Sequence, residues 1–137
     1  MSAERNIDGL HAVPTNRTVA NVMERLQAIV RARGLAVFAR INFSADAERA
    51  GLELPPTELI LVGNPKAGTP LIAATPTVAI DLPLRVLAWT NAEGRTYLAY
   101  NEPDYLQKRH GFSPALIKNI AGLAALVTEA AQDDQSE

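Results

Sequence analysis

Apolar residues recur along this chain with two periods, and each change of period marks a new element. Val19, Val22, Met23, Leu26, Ile29 and Val30 fall three or four apart, with Asn21, Glu24, Arg25, Arg31 and Arg33 between them. That spacing predicts an amphipathic helix beginning at Asn16 or Thr18. Gly34 follows two arginines that suit the negative end of a helix dipole, so the helix is expected to stop there. In the next stretch the period drops to two: Leu35, Val37, Ala39, Ile41 and Phe43 share one face of a strand. Ser44 to Gly51 then reads as a short helix with Ser44 as N-cap and Gly51 as stop. Thr57 to Val62 is apolar without alternation, which predicts a strand near the middle of the sheet with both faces covered.

The remaining elements rest on turn chemistry. Residues 7–13 alternate weakly and form a candidate first strand ended by Pro14. Leu59-Ile-Leu-Val runs into Gly63-Asn-Pro-Lys-Ala-Gly-Thr-Pro70, read as a buried strand delivering a shaped polar loop. Thr69 or Thr75 is placed to cap short helical turns through 71–74 and 78–80. Leu84–Thr90 and Arg95–Tyr100 flank Asn91-Ala-Glu-Gly94, a hairpin signature that sets Trp89 and Tyr97 on one face. Pro103 to Arg109 forms a short helix, and Ser113-Pro114 opens a last helix with a broad apolar surface, from Leu116 to Val127. The sum is an α+β single-domain sandwich with four to five mostly antiparallel strands and two long helices packed on one face. The domain is expected over 15–131, after an N-terminal segment 1–14 and before a disordered acidic tail, 132–137.

Composition narrows the chemistry. With 137 residues, 47% hydrophobic, the chain can bury a core without staples, and it has no cysteine for disulfides, thiolate catalysis or cysteine-ligated metal. Its two histidines lack spaced partners, so no metal site is expected. Thirteen Lys and Arg are scattered and the net charge is −2, which argues against nucleic acid as a partner. No run reads as a membrane span and no leader is evident, so a cytoplasmic location is expected.

Within the polar loop, Gly63, Asn64, Lys66 and Thr69 bring backbone N–H groups, an amide, an ammonium and a hydroxyl close together, as an anion-holding concavity would need. Lys66 precedes the second glycine, so the spacing fails the nucleotide P-loop pattern. The loop serves equally as a rigid connection, with Gly for positive φ and Pro for stiffness. His110 ends a short helix, where it can meet the last carbonyls, or it acts as a titrating base or ligand contact. His11 is read as incidental. Asp81, Glu102 and Asp104 are the carboxylates nearest to expected clefts, with Asp81 placed to cap a turn. Ser44 and Ser113 lack a nucleophile elbow.

The order of motifs resembles the family known as domain of unknown function 302, over about residues 15–125. The similarity rests on Gly34-Leu-Ala-Val-Phe-Ala-Arg-Ile41, Ala50-Gly-Leu-Glu-Leu54, Leu61-Val-Gly-Asn-Pro-Lys-Ala-Gly-Thr-Pro70, Asp81-Leu-Pro-Leu-Arg-Val86, and Tyr105-Leu with Arg109-His-Gly111. The resemblance implies a small α+β domain, commonly homodimeric, with no established activity or cofactor. Where members are expected to carry Asp-His after the second strand, this chain has Asn42-Phe43. That departure favours binding or structure over catalysis.

The leading expectation is a homodimer binding a small polar or anionic ligand beside Gly63–Pro70. Asn64 and Lys66 would orient and neutralise it, Thr69 would add a hydroxyl, and His110 or Asn42 would line the opposite wall. One alternative is an enzyme of unassigned reaction using His110 with Lys66. The other is a structural or interaction domain whose last helix and hairpin aromatics meet a partner.

Overall fold

In the computed structural model, which describes residues 7–133, the chain runs β1 (Leu10–Thr15), α1 (Val19–Ala32), β2 (Ala36–Asn42), α2 (Phe43–Arg49), β3 (Thr57–Gly63) and α3 (Pro65–Ala74). A 3-10 helix (Pro76–Asp81), β4 (Leu84–Thr90), β5 (Thr96–Asn101), α4 (Pro103–His110), a second 3-10 helix (Pro114–Asn119) and α5 (Leu123–Ala131) complete it. The five strands form one sheet in the order β1-β5-β4-β3-β2, antiparallel at every joint. The α+β sandwich expected from the sequence is therefore the architecture.

α1 forms as its periodicity predicts: the Thr18 hydroxyl accepts from the Asn21 N–H at 3.1 Å, and Gly34 at φ +76° receives the chain in the left-handed region. Its stripe of Val22, Met23, Leu26 and Val30 packs with Leu126, Val127 and Ala130 of α5 onto Ile60, Val62, Val86, Ala88 and Leu98 of the sheet. A second, smaller cluster joins Leu71 of α3, Val78 of the first 3-10 helix and Leu106 of α4 with Phe112 and Ile120, which flank the second 3-10 helix. Leu84 packs against both clusters and links them.

Several local expectations change. β1 includes Pro14 instead of ending before it, which an edge strand permits because one side of its backbone needs no ladder partner. α2 starts at Phe43, not Ser44: Asn42 is its N-cap, accepting from the Ala45 N–H at 2.9 Å. Ser44 instead donates to Asn42 Oδ1 and accepts from the Thr57 N–H. β2 carries a bulge between Val37 and Ala39, so the single face predicted for Leu35 through Phe43 is broken at Phe38. Val37 packs against the main core, while Ala39 and Ile41 turn to the other side of the sheet.

The last helix is two pieces, Pro114–Asn119 in 3-10 form and then α5, with Gly122 at the join. Pro114–Ala131 is long and apolar enough to cross a membrane by length and composition, contrary to the expectation that no run approaches this limit. Its inner residues are used differently, since Leu123, Leu126, Val127, Ala130 and Ala131 are buried in the domain core. The inner stripe is met by α1 and the sheet, Leu116, Ile117 and Ile120 belong with the smaller cluster, and Ala121 stays exposed. Of the acidic tail, Gln132 and Asp133 receive hydrogen bonds from Arg17 and Asn16. Residues 134–137 lie outside the described residues.

β3 alternates more cleanly in burial than in sequence. Glu58, Ile60 and Val62 are buried beneath the helices, and Leu59 and Leu61 on the opposite face are half-buried. The expectation that both faces are covered holds for one face of the single chain.

Candidate functional site

The Gly63–Pro70 segment is the start of a helix, not a loop. Asn64 is the N-cap and Pro65 takes the first helical position, where its missing N–H costs nothing. Neither Thr69 nor Thr75 makes the expected side-chain cap: Thr69 lies inside α3, and Thr75 precedes the 3-10 helix without a capping bond. The Lys66 N–H is taken by Asn64 Oδ1 at 3.0 Å, and those of Ala67 and Gly68 go to the Asn64 carbonyl, each at 2.9 Å. These donors are committed to the helix, so the expected anion-holding concavity does not form. Nor does Gly63 or Gly68 have positive φ, the reason anticipated for glycine here. The Asn-Pro pair ahead of helix-forming residues was the signal for this start.

What the segment builds is one wall of a cavity of about 330 Å³. Gly63, Asn64, Ala67, Gly68, Thr69 and Ile72 line it on one side. Ala79, Leu82 and Pro83 face them from the 3-10 helix and the residues after it, Phe38 enters from the β2 bulge, and Asn119 closes an end. Asn119 Nδ2 donates to the Ala67 carbonyl at 3.0 Å, tying the second 3-10 helix to α3. The volume lies at the lower end of the range for small-molecule sites, roughly 300–1,000 Å³, and the walls are mainly apolar with few polar groups.

Of the residues anticipated, Gly63, Asn64 and Thr69 line this cavity. Lys66 does not; it sits exposed at the second position of α3, without an ion pair among the described residues. Asn42 stands at the far end of the sheet, because Ala36 pairs with Gly63 and Asn42 with Glu58. Five strand residues, about 17 Å, separate those levels. There Asn42 lines a polar cleft with Thr18, Glu58 and Arg95.

His110 is also elsewhere. Its ring is 5% exposed and lies between two partners: Nε2 is 2.6 Å from Asp81 Oδ2, and Nδ1 is 3.0 Å from the Thr77 hydroxyl. Arg109 donates to the same carboxylate at 3.0 and 3.2 Å. A neutral imidazole carrying its proton on Nε2 satisfies both contacts, donating to Asp81 and accepting from Thr77. The connectivity of hydroxyl, imidazole and carboxylate is that of a nucleophile triad. Thr77 is exposed and does not line the cavity formed by Gly63, Asn64 and Thr69. The arrangement instead pins α4 to the Pro76–Asp81 helix, whose other side carries Ala79 and leads into Leu82 at the cavity. Asp81 and His110 are 29 residues apart, too far for sequence spacing to pair them. Among the described residues no group of His, Asp and Glu is placed to hold a metal ion.

Gly68 offers a direct check on α3. An added Cβ meets only Leu82 Cδ1 at 3.9 Å, and φ is not positive. Gly68→Ala is therefore expected to stabilise the domain by about 0.5–1 kcal/mol through reduced unfolded-state entropy. A rise in the thermal midpoint checks it; a fall would mean that α3 is not helical at this position.

Fold and cavity define a small α+β domain with an apolar pocket at one end of its sheet. The chain belongs to the family described as "Domain of unknown function DUF302", whose model matches residues 11–130. A solved structure, "Crystal structure of uncharacterized conserved protein DUF302 from Bacillus stearothermophilus", shares the fold with a TM-score of 0.74 at 18% identity, covering 91% of this chain and 97% of that one. Among curated proteins, the "Fluoride-specific ion channel FluC 1" of Brucella suis biovar 1 is 40% identical over 129 residues, 92% of this chain and 51% of that protein. "Fluoride-specific ion channel FluC 2" of Brucella melitensis biotype 1 is 40% identical over 129 residues, with 92% and 48% covered. The chain spans about half the length of these curated relatives.

Proposed function

We propose that this chain is a cytoplasmic, homodimeric binding domain that takes a small amphipathic molecule, with its apolar body in the cavity and a polar or anionic head beside Asn64, Thr69 and Lys66. The cavity carries this reading: its walls are apolar, and the polar groups at the start of α3 gather along one side. Lys66, exposed one turn away, supplies the nearby positive charge without lining the pocket. A fully polar ligand would leave the apolar walls uncompensated and would gain little from the committed N–H groups of α3. Asn42 and His110 are too far from this pocket, or too fully engaged, to serve in it. No reaction is assigned.

Calorimetric titration with short-chain and aromatic carboxylates tests the proposal, with the corresponding neutral alcohols as controls. Carboxylates are expected to bind better than alcohols, Lys66→Ala to weaken carboxylates about five- to tenfold, and Ala79→Phe to abolish binding by filling the cavity. Absence of binding by every probe, or unchanged binding by Ala79→Phe, would overturn it.

The Brucella relatives support a second reading, in which the same kind of domain is an attachment to a fluoride channel and reports a small molecule to it. Titrating the same probes against the matching half of the Brucella suis protein distinguishes a pocket common to both from one peculiar to this chain.

A further inference from the structure

Asn119 closes one end of the apolar cavity, and a second cavity begins on its other side. This second cavity, of about 310 Å³, is walled by Leu35, Val62, Leu123 and Leu126, and Arg33 and Lys118 also line it. Gly63, Asn64, Ala67, Leu84, Asn119 and Ile120 line both cavities, so the Asn119–Ala67 hydrogen bond lies in a shared wall. The two cavities flank the end of β3. Val62 turns into the main core and lines the second, while Gly63, the next residue, faces the opposite side, where an added Cβ would stand 3.5 Å from Phe38 in the first. Neither cavity is lined by a carboxylate. Lys118 is exposed and makes no ion pair among the described residues, and Arg33 holds Glu129 at 2.5 Å with half of its side chain still in solvent.

We infer that the two cavities are one site for a linear molecule acidic at both ends, an α,ω-dicarboxylate. The inference rests on the ligand-binding function proposed above and supplies the ligand's class. One carboxylate takes the place of the head beside Asn64, Thr69 and Lys66, the methylene chain passes Asn119, and the second carboxylate meets Lys118 and Arg33. Apolar walls with cations at both ends suit such a chain. A monoacid long enough to reach the second cavity would set its methyl end against Lys118 and Arg33 and displace their water without replacing it. Asn119 is the threshold between the two halves. Its side chain is half-buried, and the Ala67 carbonyl it holds is, within α3, also the acceptor for the Leu71 N–H, so the amide can turn aside without stranding that carbonyl. Gly122 keeps the second cavity open: it stands in helical conformation at the start of α5, and a Cβ added there meets nothing within 4 Å.

Linear monocarboxylates and dicarboxylates of roughly six to twelve carbons are titrated calorimetrically against the wild type, Lys118→Ala and Gly122→Phe, and each methylene buried is expected to strengthen binding about three- to fourfold. In the wild type this gain is expected to continue for diacids after it has levelled off for monoacids. Lys118→Ala is expected to weaken the long diacids about three- to fivefold, as loss of an exposed ion pair does, and to leave monoacids unchanged. Gly122→Phe is expected to halt the diacid gain at the length where monoacids stop, with circular dichroism confirming the fold. A diacid series that levels off with the monoacids, or one indifferent to either substitution, would confine the ligand to the first cavity and overturn the inference while the proposed function stands. Lack of binding by every acid of both series would remove that function and this inference together. The comparison of the two series in the wild type needs no substitution, so it decides even if both variants misfold.

Discussion

Replacing Arg40 with leucine is expected to lower the unfolding free energy by about 3 kcal/mol, toward the low end of the range for breaking a buried ion pair. Arg40 Nε donates to Glu58 at 2.7 Å, and its Nη1 to Glu24 at 2.8 Å. Glu58 is 5% exposed, one of two buried polar residues among the described residues. The Glu58 bond holds the guanidinium charged, raising its pKa above the ordinary value against the opposing effect of burial. Glu24 is largely exposed and returns to water at little cost when Arg40 is lost. Glu58 touches solvent only through the cleft it lines, so its unpaired carboxylate under α1 dominates the penalty. Leucine preserves most of the apolar stem, so the loss reads the charge and not the packing. Urea denaturation checks the value. The double variant Arg40→Leu with Glu58→Leu should recover most of it, because removing both partners leaves nothing unsatisfied. A loss below about 1 kcal/mol for Arg40→Leu would mean that water reaches Glu58.

That ion pair marks where sequence reasoning stopped. Period two was legible in β2, and on it Arg40 falls opposite Val37, Ala39 and Ile41. The extra residue at Phe38 reverses the relation for Ala39 and Ile41, leaving Arg40 on the helix side with Glu58. Nothing in the spacing announces a bulge, because its stabilisation comes from pairing with β3 and from the pocket that Phe38 helps to line. The long regular elements read well for the opposite reason. α1 carries its cap, stripe and glycine stop within its own residues, and the β4–β5 hairpin carries its turn. At α3 the Asn64-Pro65 cap carries the information for a helix start, but Gly63 and Gly68 give the same segment the composition of a loop. The cavity could not be read at all: it is formed by four segments that meet only when the smaller cluster assembles. Apolar surplus was also legible, but its place was not. The pattern points to the last helix, whereas the exposed large apolar side chains include Phe38, Leu52, Leu54 and Ile80.

The smaller cluster gives the second large effect. Asp81→Ala is expected to cost about 2–3 kcal/mol, while Asp81→Asn costs about 1 and Thr77→Val less than about 1. The order follows from what each change leaves behind. His110 is 5% exposed, so losing Asp81 strands an imidazole N–H with no water to replace its 2.6 Å partner. An asparagine keeps an oxygen acceptor there and removes only the charge. Thr77 is exposed, so water can take over its contact with Nδ1. Arg109 adds little to any of these numbers, because its side chain is half exposed and hydrates freely. The effect should also be local. The Pro76–Asp81 helix and α4 belong to the Leu71, Val78, Leu106, Phe112 and Ile120 cluster, which meets the main core through Leu84. Hydrogen exchange in Asp81→Ala is therefore expected to speed up in α4 and around Val78 while amides in β3, β4 and β5 keep their protection. Because Ala79 lies in this helix and Leu82 directly follows it, both at the cavity, probe binding there should weaken in parallel with that exchange. If exchange rose equally across the sheet, the two clusters would be one cooperative unit, and the Asp81–His110 pair would be holding the whole domain instead of the wall of its pocket.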